Sequence, residues 1–300
     1  MTFKPSVILS LAAGVACALF RSVIWNSAYD AETRLITQPR LLMMFNLFLC
    51  LCAVVVVLVF LLRWPRDGSA GTPLASSGVP ELLLRWGSVG CYTAAGIMLL
   101  RTLPRFSVVL LVSGVFQLLQ VPFLMLLIRR RDPESLTFAT WTLPPTFANC
   151  CLVVGLYHQV GAEPNPQVYL WAVAAVLLVS LTWVALAGFG FQYQSGKWFG
   201  LCAHVAVLTL PTAIVAPLPL PWRLTLAAQL LWITGALLGL KAEMEQTVPA
   251  EESTENSDVP QQPEQYPIAE NGAQIVSVME DDQPASHRPQ RLRRDGNSKR

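Results

Sequence analysis

Apolar runs of bilayer-spanning length constrain the fold of this chain more than any other feature. Three of them follow one another within residues 106–189: Phe106–Ile128, Leu136–His158 and Val168–Phe189. A helix needs roughly 20 apolar residues to cross the hydrocarbon core of a bilayer, and each run meets that length. This stretch therefore predicts three membrane-spanning helices joined by short polar turns.

Five further runs of similar character lie outside this stretch: Ser6–Trp25, Leu41–Leu62, Leu82–Leu100, Gly200–Pro217 and Leu224–Leu240. We therefore predict an all-α, polytopic helical membrane protein with about eight transmembrane helices, whose bundle occupies residues 1–240.

The first run has a second interpretation. Lys4 ahead of an apolar segment with small residues at 16–18 also fits a cleavable signal peptide, whose removal would leave seven helices. A retained helix is favoured because the apolar run continues to Trp25. Arg21 near the end of this run is expected to extend its guanidinium to the membrane interface.

The charged residues are few and unevenly distributed. They make up 13% of the 300 residues, whereas soluble domains average about 25%. Residues 241–300 are polar, with acidic residues first and a basic cluster at the end, and are predicted to form a disordered cytoplasmic tail. The basic triplet Arg129–Arg131 should also be cytoplasmic, because short cytoplasmic loops are enriched in Lys and Arg.

Two residue types add detail. Five tryptophans at the ends of runs predict an aromatic belt at the two membrane interfaces: Trp25, Trp64, Trp86, Trp198 and Trp222. All seven cysteines fall inside apolar runs and are interpreted as small buried hydrophobic residues without disulfides.

No motif for an enzyme is found. The chain contains no Gly-x-Ser-x-Gly, phosphate loop or His-Glu-x-x-His, so we expect no catalytic activity, no cofactor and no metal site. The net charge of +2 and the absence of a basic stripe argue against a nucleic-acid partner. His204, inside an apolar run, is interpreted as a hydrogen-bonded structural histidine. No feature indicates which membrane holds the protein.

The candidate solute site consists of amides within the predicted spans. An unpaired amide in hydrocarbon is costly, so each must face another helix or a wet cavity. Asn149, Gln117 and Gln120 are the predicted solute-binding residues. Asn46 and Gln229 are further amides within spans, and for any of the five the alternative is a hydrogen bond that only joins helices.

Prolines within the spans are the candidate gates or hinges. Pro122, Pro144 and Pro145 each lack the N–H that a helix interior uses, which frees a carbonyl and favours a kink. Pro144-Pro145 precedes Asn149 by about one turn. This arrangement predicts a hinge beside a solute-binding amide, with a static kink as the alternative.

The same stretch resembles the repeat of the SWEET (MtN3/saliva) sugar transporters and the related PQ-loop proteins. The resemblance rests on Val121-Pro122-Phe123 before the basic loop that ends at Ser135, on Phe147-Ala148-Asn149, on Gly155-Leu156-Tyr157 and on Glu163-Pro164-Asn165. It implies a transporter in which Asn149 contacts the solute and the prolines act at gates. It covers about residues 106–189, and Gln does not follow Pro122. The family's second, parallel repeat is not evident in this sequence.

Two functions remain from the sequence. The first is a facilitative transporter of a small polar solute such as a sugar. The alternative is a non-transporting multi-span membrane receptor or organiser that acts through its cytoplasmic C-terminal tail. The expected partners are the lipid bilayer, the small solute, cytoplasmic proteins or anionic lipid at the tail, and a second copy of the chain in a homo-oligomer.

Overall fold

The computed structural model describes residues 4–30, 35–63, 78–101, 108–129, 136–161, 169–191 and 196–246. These residues form eight helices: α1 Lys4–Ala28, α2 Pro39–Arg63, α3 Val79–Arg101, α4 Val108–Arg129, α5 Leu136–Gly161, α6 Leu170–Gly190, α7 Gly196–Ile214 and α8 Leu220–Gln246. A two-residue antiparallel pair, β1 Tyr29–Asp30 with β2 Leu35–Ile36, lies between α1 and α2. The predicted all-α fold and its eight helices are confirmed.

The helices define a multi-pass integral membrane protein. Six of them, α1 to α4, α6 and α7, are long and apolar enough to cross a membrane. The outer surface of the bundle is also apolar: on α2, Met43 is 73% exposed and Leu62 is 84% exposed. Large apolar patches of this kind are rare on soluble monomers, and a lipid environment removes their cost.

Helices α3 to α8 close into a ring. Each of α4 to α8 packs against the helix before it in the chain, and α8 packs back against α3. Short connections join these helices, so neighbours in the ring run antiparallel. We call the two ends of the bundle the Arg129 end, where α4 finishes, and the Arg101 end, where α3 finishes. The sequence predicts that the Arg129 end is cytoplasmic.

Small residues let the helices of the ring approach closely. A Cβ on Gly96 of α3 would lie 2.7 Å from Leu118 Cγ of α4, and a Cβ on Gly190 of α6 would lie 2.7 Å from Ala139 of α5. In lipid the association of helices depends on such packing, because burial of apolar groups offers little gain over contact with lipid.

Helices α1 and α2 pack outside the ring. Helix α1 lies against α7, and α2 lies against α1 and α7. A Cβ on Gly14 of α1 would lie 2.9 Å from the carbonyl oxygen of Leu208 and 3.0 Å from that of Val207, so the two backbones nearly touch. Helix α1 is therefore packed closely against α7.

Several helix bounds differ from the expected spans. Helix α3 begins at Val79 and so includes Glu81, which the sequence placed in a loop. Pro211 lies inside α7 without ending it. Helix α8 continues through Gln246 and so includes the first six residues of the expected tail, because Lys, Ala, Glu, Met and Gln all favour helix. The remainder of the predicted tail, from residue 247, lies outside the described residues, as does the loop that holds Arg130 and Arg131.

Two expectations about residue placement need correction. Trp222, at the start of α8, is buried against α5 instead of exposed. Trp198 is exposed near the start of α7 as predicted, whereas Trp86 is exposed but lies seven residues inside α3. Trp25 is half-buried near the end of α1, and Trp64 lies outside the described residues. The cysteines are not uniformly buried: Cys17 is buried, but Cys50 and Cys150 are exposed on the apolar surface. An apolar run does not distinguish the lipid-facing side of a helix from its packed side, so the sequence could not separate them.

Candidate functional site

A hydrogen bond between two amides crosses the interior of the ring. Gln229 Nε2 on α8 donates to Asn149 Oδ1 on α5, and both side chains are buried. Helices α5 and α8 are not neighbours in the ring, so a bond between them places both amides at its centre. The predicted solute-binding residue Asn149 is therefore in the bundle interior, with a partner that the sequence had not assigned to the site.

The other two predicted amides lie at the same level. On α4, Gln120 Nε2 donates to Gln117 Oε1 at 2.5 Å, and both residues are buried. The level of α4 follows from Gly155 on α5, since a Cβ there would lie 3.4 Å from Ser113 Oγ. With a rise of about 1.5 Å per residue, Gln117, Asn149 and Gln120 lie about 6, 9 and 10 Å from that level toward the Arg129 end.

The contact between α5 and α8 at Gly155 gives a similar level for Gln229. Trp222 Cη2 lies 2.5 Å from the position of a Cβ on Gly155, and Gln229 follows Trp222 by seven residues, or about 10 Å. We call Gln117, Gln120, Asn149 and Gln229 the amide cluster. The structure thus brings the three predicted solute-binding residues to one level of the ring.

The amide cluster is only half satisfied by its internal bonds. Among the described residues, Gln120 Oε1, Asn149 Nδ2 and Gln229 Oε1 are buried atoms without a hydrogen-bond partner. Such atoms in a low-dielectric interior cost free energy unless water or a ligand pairs with them. The cluster therefore presents one donor group and two acceptors to a guest.

An aromatic pair lies next to the amide cluster on its Arg129 side. Trp232 follows Gln229 by three residues on α8 and stacks with Trp183 of α6, with ring centroids 5.6 Å apart and planes at 17°. Both side chains are buried, and neither indole N–H has a partner within the described part of the chain. We call Trp183 and Trp232 the indole pair.

Helix α3 contributes hydroxyl groups to the same interior. Ser88 and Tyr92 are fully buried, and the oxygen of each side chain has no partner among the residues described. Gly87 of α3 faces Leu231 of α8, since a Cβ on Gly87 would lie 3.6 Å from Leu231 Cδ1. Ser88 is therefore level with the segment of α8 that carries Gln229 and Trp232.

The nearest charged groups lie farther toward the Arg129 end. Arg85, one turn before Ser88, is buried, and its Nη2 donates to the carbonyl oxygen of Gly235 at 3.2 Å. Glu81 lies one turn before Arg85 on the same helix. Gly235 follows Gln229 by six residues, which separates this charged pair from the amide cluster by about 9 Å along the bundle.

The predicted hinge prolines occupy three different environments. Pro145 is buried one turn from Asn149, Pro144 is half-buried, and Pro122 is exposed on the outside of α4. Helix α5 continues through both of its prolines. The structure therefore brings Pro145 next to the amide cluster and leaves Pro122 away from it.

Polar side chains outside the ring have structural partners. His204 Nδ1 lies 2.7 Å from the carbonyl oxygen of Gly200 and must donate to it, so the neutral ring accepts a bond at Nε2 from Ser6 Oγ at 3.2 Å. Asn46 Oδ1 accepts from Trp171 Nε1 at 2.8 Å, which joins α2 to α6. These bonds fit the structural interpretation of His204 and assign Asn46 to packing between helices.

Arg21 also acts between helices. Its side chain is buried, Nη1 donates to the carbonyl oxygen of Thr212 at 3.2 Å, and the guanidinium lies 5.9 Å from the centroid of the Phe45 ring. Its partner carbonyl is in the last turn of α7, where carbonyls lack their usual helical donors. The short distance to that carbonyl explains why this arginine turns inward.

Sequence reasoning missed several interior groups. The indole pair and the hydroxyls of Ser88 and Tyr92 were not predicted, because Trp, Tyr and Ser within an apolar run are equally typical of lipid-facing or packed positions. Position offers one weak indication: Arg85, Ser88 and Tyr92 recur at the spacing of one helix face. The described residues contain no group of three or more His, Cys, Asp or Glu side chains that could hold a metal ion.

Comparisons with protein-family models, curated proteins and solved structures found no match, and the resemblance to the SWEET and PQ-loop proteins stays a resemblance.

Proposed function

We propose that this membrane protein is a facilitative transporter of a small polar solute, which it binds at the amide cluster. The observation that carries the proposal is a set of buried amide atoms at the centre of the ring, on Gln120, Asn149 and Gln229, that have no hydrogen-bond partner among the described residues. Polar side chains that served only to join helices would be expected to satisfy one another, as the indole N–H of Trp171 and Oδ1 of Asn46 do.

The position of the cluster also suits transport. It lies near the middle of the ring helices, where carriers commonly place their substrate sites. Pro145, buried one turn from Asn149, is a suitable place for α5 to bend between conformations. No carboxylate lies at this level in the described helices, which fits passive transport better than coupling to a proton.

The proposal is tested by uptake into liposomes that contain the purified protein. The panel of labelled solutes includes sugars, polyols, nucleosides, amino acids and organic acids. We expect saturable uptake of at least one solute, reduced at least tenfold by Asn149→Ala with the amount of folded protein unchanged.

Asn46→Ala is the matched control, because it removes a half-buried amide that lies outside the ring and should leave uptake near the wild-type rate. Equal loss in both variants would indicate damage to the fold instead of the site. Absence of uptake for the whole panel would contradict the transporter and favour the receptor or organiser that acts through its C-terminal tail.

A further inference from the structure

From the charges and hydrogen-bonding atoms of the interior we infer the class of solute: an uncharged molecule that carries both hydrogen-bond donors and acceptors. This inference rests on the proposed function and narrows it, because a small polar solute includes amino acids, organic acids and amines that carry charge at pH 7.

The first step concerns the atoms that a guest would meet. Buried atoms without a partner in the described helices include donors, acceptors and hydroxyl groups that can be either. The donors are Asn149 Nδ2 and the two N–H groups of the indole pair, the acceptors are Gln120 Oε1 and Gln229 Oε1, and the hydroxyls belong to Ser88 and Tyr92. A solute with only acceptors or only donors would leave some of these atoms unpaired.

The second step concerns charge. Within the described parts of α4, α5 and α6, the only Asp, Glu, Lys or Arg is Arg129 in the last turn of α4. On α8 the charged residues are Arg223 in the first turn and those from Lys241 onward. No ionised side chain of these helices is therefore available to pair with a charged guest at the amide cluster, and an unpaired ion in such an interior is strongly disfavoured.

The third step concerns the nearest charged pair. Arg85 and Glu81 have opposite charges and lie one turn apart on one face of α3, so the pair is neutral overall. The guanidinium of Arg85 is bonded to the carbonyl oxygen of Gly235. The pair therefore adds no net charge to the interior.

The indole pair adds a shape requirement. Two stacked indoles offer apolar ring surface beside polar N–H edges. A solute with an apolar face and polar edges would match this side of the site, whereas a compact, strongly hydrated ion would not.

The test is the equilibrium distribution of the transported solute under an imposed membrane potential. A potassium gradient with valinomycin sets about 100 mV across the liposome membrane. A singly charged solute on a passive carrier would then differ about 50-fold in concentration between the two sides, since 100 mV is worth about 2.3 kcal/mol per charge. An uncharged solute should equilibrate to a ratio near one at either sign of the potential.

A second variant tests whether the Nδ2 donor of Asn149 is needed for uptake of the neutral solute. Asn149→Asp keeps the acceptor that bonds Gln229 but replaces the Nδ2 donor with negative charge. We expect uptake of the neutral solute to fall at least tenfold, because the Nδ2 donor is lost. Gln229→Met should also reduce uptake of the neutral solute.

The outcomes separate the two claims. A solute whose distribution follows the potential would overturn the inference and leave the transporter standing. Absence of uptake for every solute in the panel would overturn the proposed function itself. Voltage-independent uptake of an uncharged solute, lost in Asn149→Asp, would support both.

Discussion

The hydrogen bond between Gln229 and Asn149 has two interpretations: it belongs to a solute site, or it only joins α5 to α8 as a helix joint. One set of variants separates them. Gln229→Met removes the donor and leaves Asn149 Oδ1 buried without a partner, in addition to Nδ2. A membrane hydrogen bond contributes about 0.6 kcal/mol on average, and a stranded buried polar group costs about 1–3 kcal/mol. We expect a loss of about 1–3 kcal/mol in unfolding free energy.

Asn149→Leu should have a similar effect, because it strands Gln229 Nε2. The double variant strands neither partner, and replacement of both polar groups by apolar ones of similar shape can be nearly neutral. Its loss of unfolding free energy should therefore be smaller than the sum of the two single losses by about 2–6 kcal/mol. Unfolding by titration with sodium dodecyl sulfate in mixed micelles measures all four proteins.

Uptake should not recover together with stability. If the amide cluster binds solute, the double variant is well folded and transports at less than a tenth of the wild-type rate. A double variant that transports within about twofold of wild type would refute the solute site and leave the amides as a helix joint. A double variant as unstable as the two single effects combined would refute the bond itself.

Three further predictions concern the packing of the bundle. Gly14→Ala should destabilise the protein by about 1–3 kcal/mol in the same chemical unfolding assay, because its Cβ would meet backbone oxygens of α7. The control is Gly90→Ala on α3, where no atom lies within 4 Å of the added Cβ. This variant should be neutral or slightly stabilising. Arg21→Met should cost about 1–3 kcal/mol through loss of the bond to the carbonyl of Thr212, seen as a lower midpoint of thermal unfolding in detergent, and an unchanged midpoint would contradict the bond. Deletion of Thr247–Arg300 should leave membrane insertion and the melting temperature unchanged, and failure to insert would show that the tail contributes to folding.

The sequence was sufficient for the number and approximate position of the helices. Runs of about 20 apolar residues have few alternatives in a chain of this length, because a spanning segment must satisfy its own backbone hydrogen bonds. The helix ends differ from the expected bounds: α8 continues to Gln246 because polar residues with high helix propensity extend it past its apolar part, and α3 begins at Val79 with Pro80 in its first turn, where proline is favoured.

The arrangement of the helices could not be read from the sequence. The faces of α5 and α8 that meet are determined by close approaches at residues such as Gly155, which leaves room for Trp222. A glycine in an apolar run gives no indication of which helix it will contact. For this reason Gln229 was recognised as an amide within a span but not as the partner of Asn149.

For the candidate site too, the sequence predicted the residues but not their contacts. The rule that an intramembrane amide needs a partner or a wet cavity identified Asn149, Gln117 and Gln120, which share one level of the ring. The same rule also selected Asn46, whose partner is Trp171 outside the ring. Residue type was therefore predictive of burial, while the difference between a binding site and a helix joint depends on contacts between distant parts of the chain.

Whether water and solute reach the amide cluster is tested most directly by the accessibility of single cysteines. In a variant with the seven native cysteines replaced, Asn149→Cys is compared with Leu152→Cys, since both positions are buried on the same helix and Leu152 belongs to the apolar core. A small, membrane-impermeant methanethiosulfonate reagent is applied to the protein in liposomes. We predict that the cysteine at position 149 is modified within minutes, that a transported solute slows its modification, and that the cysteine at position 152 stays unmodified. Equal protection at both positions would show that the amides are sealed inside the bundle and would contradict the solute site.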